Sequence, residues 1–165
     1  MEFIFIIFLT SSLSVLWGLE VPDDAIASNT GTRFHAKLDG DSELPPVNST
    51  ASGTVSFYVN GDVIFYKIRA SGINTAGAAL LHDAEAGSNG DAVATLVTSN
   101  NFNTDSREIL KEGIISSAIT STDLTGPLEG KSIDDLVSLM QTGQIYVNVN
   151  SSDYPDGEIR GQVGQ

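Results

Sequence analysis

Hydrophobic and polar residues alternate with a period of two over most of the chain beyond residue 32, and this predicts a series of short β-strands. Phe34, Ala36 and Leu38 share one face of the first, Arg33 to Leu38. Val55, Phe57 and Val59 alternate with Thr54, Ser56 and Tyr58 in the second. The return strand, Asp62 to Ala70, sets Ile64, Tyr66, Ile68 and Ala70 against Val63, Phe65, Lys67 and Arg69. Asn60-Gly61 between these two strands predicts a type I′ hairpin, whose central residues both need positive φ. Further strands are expected at Ala78 to Glu85, Ala92 to Thr98 and Ile114 to Thr120, with a turn at Ser88 to Asp91 and an Asn-rich loop at Ser99 to Ser106. Pro45-Pro46 cannot donate to a ladder and belongs at an edge or a crossing between sheets.

The period changes once. Ile133, Leu136, Val137 and Met140 recur at helical spacing. Ser132 is placed to cap that helix, Asp135 suits the positive end of its dipole, and Gly143 supplies the stop. The stripe is expected to be core contact. Beyond it the period returns to two. Ile145, Val147 and Val149 alternate with Tyr146, Asn148 and Asn150, then Tyr154-Pro155-Asp156-Gly157 makes a turn. Glu158, Arg160 and Gln162 next alternate with Ile159, Gly161 and Val163. If these two strands pair, Asn148 and Asn150 share a polar face with Glu158 and Arg160, expected to be solvated or hydrogen-bonded within the sheet. About eight short strands, turns between them and one short helix predict an all-β, antiparallel sandwich or barrel.

The stretch YVNVNSSDYPDGEIRGQ, Tyr146 to Gln162, resembles the closing motif of the CHRD domain, a module named after chordin and common in secreted microbial proteins. Leu44-Pro45-Pro46-Val47 resembles that family's Val-Pro-Pro-Val, and Ala79 to Gly90 resembles its His-containing strand and Gly-x-Asn-Gly turn. Leu124 to Leu128 and Leu136 fit the linker before the last strands, so the likeness runs over residues 32–165. It implies an immunoglobulin-like sandwich similar to that of superoxide dismutases, in an extracellular binding or structural role. Two family histidines are replaced, by Leu80 and Asn150, which leaves His82.

Charge and the front of the chain refine this. Phe3 to Leu16 is an apolar run of 14 residues, short for a membrane span of roughly 20 and matched to a signal-peptide core. No Lys or Arg precedes it. A signal peptide over residues 1–27 is expected, cleaved after Gly18 or at Ala25-Ile26-Ala27, the alternative being an uncleaved N-terminal anchor. No other segment is suited to span a membrane, so membrane contact is expected only through that one. Residues 1–27 carry Glu2, Glu20, Asp23 and Asp24 and no base, so the remaining domain holds 17 acidic and 8 basic residues, net −9. That balance argues against nucleic acid as a partner. The expected partner is an extracellular protein, glycan or surface ligand.

Candidate chemistry is sparse. The absence of cysteine excludes disulfides, thiolate catalysis and Cys-bound zinc. A copper/zinc site needs several imidazoles, and the chain has His35 and His82 alone. There is no Gly-x-Ser-x-Gly elbow, and Asp134-Asp135 is explained by helix capping. No catalytic residue, metal ligand or cofactor is therefore expected. The alternative function is cation binding or hydrolysis by His82 and the Asp83–Asp91 loop, where Asp83, Glu85, Asn89 and Asp91 gather oxygens of the kind calcium takes. Arg160 has the chemistry to clamp a carboxylate ligand, although pairing with a neighbouring acid is the simpler expectation. Asn48 and Asn150 each begin an N-glycosylation sequon.

Overall fold

The computed structural model describes residues 31–98, apart from Thr75, and residues 114–165. The expected signal segment, its cleavage points and the Asn-rich loop from Ser99 onward lie outside the described residues. Eight strands follow in order: β1 (Arg33–Asp39), β2 (Ser52–Asn60), β3 (Val63–Ser71), β4 (Ala76–Asp83), β5 (Asp91–Val97), β6 (Ile114–Ile119), β7 (Ile145–Ser151) and β8 (Ile159–Gln162). Among the described residues one α-helix, α1 (Ile133–Gln141), lies between β6 and β7, after two short 3₁₀ turns at Ser121–Asp123 and Gly126–Leu128. These bounds agree with the alternation to within two residues.

The strands form one antiparallel sheet in the order β5-β4-β7-β8-β1-β2-β3-β6. It curls until its two ends nearly meet. Leu124, just beyond β6, bridges to Ala94 on β5, and Thr125 N–H donates to the Val93 carbonyl at 2.8 Å. Tyr66 of β3 reaches through the interior and donates its hydroxyl to the Leu96 carbonyl of β5. The architecture is all-β and nearly barrel-shaped.

The concave side holds the core. Phe34, Ala36 and Leu38 of β1, Val55 and Phe57 of β2, and Ile64, Tyr66 and Ile68 of β3 are all buried there, as their alternation requires. Ile133, Leu136 and Met140 of α1 pack into the same core. Ser132 and Asp135 close a capping box at the start of α1, and Gly143, at φ +70°, ends it.

The β2–β3 hairpin departs from expectation by one residue. Asn60 pairs with Val63, so the two-residue loop is Gly61-Asp62 and not Asn60-Gly61. Gly61 takes φ +57°, while no non-glycine among the described residues has positive φ. Positive φ at the first central position alone is the pattern of a type II′ turn, which places its glycine there.

The convex side is divided. Over β1, β2 and β3 it is open, and Arg33, His35, Lys37, Thr54, Ser56 and Arg69 are exposed. Over β4, β7 and β8 it is covered by residues 40–50, from the β1–β2 connection, and residues 84–90, from the β4–β5 connection. Tyr146 and Asn148 are consequently buried, although their positions in β7 face outward.

Candidate binding site

The covered convex face is built by register. Asn148 of β7 stands opposite Arg160 of β8, and Tyr146 stands between Gln162 of β8 and His82 of β4. Arg160 is only 2% exposed. Its guanidinium carbon lies 3.5 Å from the centroid of the Tyr146 ring, a stacked cation–π contact. The planar fork is then fixed by two bonds, Nη1–H to Asn89 Oδ1 at 2.7 Å and Nη2–H to the Ser88 carbonyl at 2.5 Å. His82 stacks on Tyr146 from the strand on the other side, with centroids 4.9 Å apart and planes 11° from parallel. Its Nδ1 is 3.0 Å from the Gly90 carbonyl, which only accepts, so Nδ1 carries the proton. Gly90 N–H donates to the Tyr146 hydroxyl at 3.3 Å. Gln162 Nε2 donates to the Ala84 and Gly143 carbonyls at 3.0 and 2.7 Å. Every one of these bonds ties a connection to the sheet.

Glu43 is the exception. It belongs to the β1–β2 connection, is 5% exposed and lies over Asn148 and Arg160. Its Oε2 accepts from Asn148 Nδ2 at 3.3 Å, whereas Oε1 is buried without a hydrogen-bond partner. Burial pushes the carboxyl up from 4.5 to about 7, against the pull of the Arg160 charge and the Asn148 bond. Beside it, a cavity of about 190 Å³ is lined by Glu43, Leu44, Pro45 and Val47 on one side and by Asp153 to Gly157 on the other. The two walls are fastened together: Tyr154 donates its hydroxyl to the Asn48 carbonyl at 3.1 Å, and Ser49 donates its own to the buried Glu158 carboxylate at 2.7 Å. Asn89 Nδ2 donates to the Leu44 carbonyl at 3.2 Å, which brings in the third connection.

The residues that assemble this face come from β4, β7, β8 and the stretch before β2, and the family model for the CHRD domain matches residues 34–163, which contain all of them. The chain belongs to the CHRD domain family. Neither a curated protein nor a solved structure matches it. The CHRD domain thus takes in every strand from β1 to β8.

Within the CHRD domain, His82 and Arg160 come together on Tyr146, while Asn150 lies apart. Asn150 Oδ1 accepts from Ala78 N–H at 2.6 Å, so the amide of that sequon is engaged in the sheet. Asn48 is exposed. The polar row of β7 and β8 is not solvated but covered and hydrogen-bonded, because two connections fold back over it. Arg160 bonds Asn89 and a carbonyl rather than an acid, with Glu43 near enough to act through its charge. In the Asp83–Asp91 loop, Asp83 and Asp91 face each other as the last pair of β4 and β5, and the side chain of Asn89 is spent on Arg160 and Leu44. Among the described residues no group of three or more His, Cys, Asp or Glu is arranged to hold a metal ion, and no helix is long and apolar enough to cross a membrane. Sequence reasoning passed over Glu43, Tyr146 and Gln162. The one signal for Glu43 was an acid placed directly before the Leu44-Pro45-Pro46 stretch.

Proposed function

We propose that this CHRD-domain chain is a secreted or cell-surface binding module without enzymatic activity, exported by its N-terminal apolar run. The observation that carries the reading is the Leu44–Asn89–Arg160 chain of hydrogen bonds. It locks two connections onto the sheet, and the Tyr154–Asn48 bond adds a third. Loops held this way form a rigid surface, and rigid loops on a stable sheet lower the entropic cost of binding. The donors of Arg160 and Gln162 are spent on the scaffold, which suits support better than catalysis. The curled eight-stranded sheet further supports an immunoglobulin-like architecture of the superoxide-dismutase kind.

Export is tested by expressing the full sequence in a secreting host and measuring the intact mass of what leaves the cell. The expected mature chain begins after Gly18 or Ala27; a product kept inside with residues 1–27 intact overturns the reading. Elemental analysis of the mature chain, with thermal melts in calcium and in chelator, tests the binding class. No stoichiometric metal and equal melting temperatures are expected, whereas bound metal lost in His82→Ala would establish the cation-binding alternative instead.

A further inference from the structure

The open half of the convex face carries charge of the sign opposite to the rest of the molecule. Of the six Lys and Arg among the described residues, Arg33, Lys37, Lys67 and Arg69 all point outward from β1 and β3. Only one acid, Asp39, occurs in β1, β2, β3 and β6. The registers lay these groups out in rows: Arg33, Tyr58 and Phe65; then His35, Ser56, Lys67 and Ser116; then Lys37, Thr54 and Arg69. Along β1 Arg33 and Lys37 are about 13 Å apart with His35 midway between them, and β1 to β3 is about 10 Å. The rows lie on a sheet surface with small Ser and Thr between the charges, so a ligand can approach the exposed charges together. Arg33, His35 and Arg69 are exposed, and the Lys37 side chain is 81% exposed with a loose 3.8 Å contact to Asp39. Lys67 is half-buried and already engaged, and it adds charge to the field without being counted on for a contact.

We infer that this face binds an anionic polysaccharide, a chain bearing carboxylate or sulfate groups at intervals that match the rows. A protein partner fits less well, because among the described residues the face has no fully exposed aromatic or aliphatic side chain, Val63 and Phe65 being half-buried. Tyr58 is buried beneath Arg33, whose guanidinium carbon is 5.8 Å from its ring centroid. A nucleic acid duplex fits less well too. It is broad and densely charged, and would meet the acidic remainder of a domain whose net charge is −9. A narrow sugar chain lies along one face, where Asp39 beside Lys37 is the one acid of the four strands, and charges farther off than a Debye length of about 8 Å are screened. The segregation of charge that makes this workable is local, and the net charge of the domain conceals it.

The inference rests on the reading of the chain as an extracellular binding module, yet its test is a binding measurement on purified mature protein and fails independently of export. Immobilised heparin and polygalacturonate probe the sulfated and carboxylated classes, with neutral dextran and duplex DNA as comparisons. Retention at low salt on one or both polyanionic sugars is expected, with release as salt rises and none on dextran. The combined variant Arg33→Gln, Lys37→Gln, Arg69→Gln is expected to melt like the parent and to lose affinity roughly tenfold. Lys131→Gln, whose charge lies outside the rows, is expected to change nothing. Charge reversal in Lys37→Glu gives a second reading if the combined variant folds poorly. Equal binding by the parent and by the combined and Lys37→Glu variants, failure to bind either sugar at low salt, or preference for DNA overturns the inference.

Discussion

The carboxyl group of Glu43 lies against the backbone of Gly157. A Cβ at residue 157 would stand 2.7 Å from both carboxylate oxygens and 2.6 Å from Asn148 Nδ2. The backbone there has φ +152°, which side-chain-bearing residues rarely adopt. The two connections that enclose the cavity therefore meet at a point with no room for a methyl group. Gly157→Ala is expected to cost about 2–3 kcal/mol, read as a lower midpoint in denaturant. In Glu43→Ala the same substitution should cost less, since one of the clashing partners is gone. Equal cost in both backgrounds would show that the contact does not matter.

The same burial sets a pH dependence. The folded pKa of Glu43, about 7, exceeds the value of 4.5 for the free side chain, so the folded state holds this proton more tightly. Below pH 4.5 both states are protonated and nothing is lost. Between 4.5 and 7 stability falls as the pH rises, and above 7 the full cost of roughly 3 kcal/mol is present. Unfolding in urea at pH 5 and at pH 8 should show this loss. Glu43→Gln should flatten it and be the more stable protein at pH 8. A parent whose stability does not fall across that window would contradict the assignment.

Arg160→Ala is expected to destabilise the fold by about 3 kcal/mol, because it empties a buried site and leaves Glu43 without its compensating charge. Arg160→Lys keeps the charge but loses the fork and the flat stacking on Tyr146. It should preserve the overall fold while amide exchange quickens at Ser88 and Gly90, whose N–H groups are bonded to the Glu85 carbonyl and the Tyr146 hydroxyl. Unchanged protection of those two amides would mean that Arg160 does not hold the connection down.

Ser132→Ala removes the side chain that accepts the Asp135 N–H bond at the start of α1 and should cost about 1 kcal/mol. The Asp135 carboxyl is held below its ordinary range by the bonds it accepts from Ser132. Its contribution is present at neutral pH and lost in acid, the opposite sense to Glu43. A midpoint difference between parent and variant that shrinks below pH 4 is the expected signature.

Most of the fold was legible because alternation is a local code. Phe34, Ala36 and Leu38 had to face one way whatever they packed against, and the same holds for Ile64, Tyr66 and Ile68. The helix declared itself through Ser132, Asp135 and Gly143, which act within a turn of one another. The candidate site was less legible. Asn148 and Arg160 were placed on one face correctly, but whether that face met water depended on Glu43 and Asn89, residues far away in sequence that fold back across it. Gly61 shows the same limit at short range. The Asn60-Gly61 pair announced a hairpin, and the pairing of Asn60 with Val63 then moved its centre by one residue.

Strand order also has a consequence for when the domain can fold. β8, the last of the described strands in chain order, is the link between β7 and β1, the first of them. Until residues 159–162 exist, β1 with its neighbours and β7 with its neighbours cannot join into one sheet, and the core is open along a whole seam. Pairing between opposite ends of a chain is slow because a long loop must close first. A chain in which residues 159–162 are not yet in place is thus held short of its native state, and the domain folds shut only when β8 joins β7 to β1.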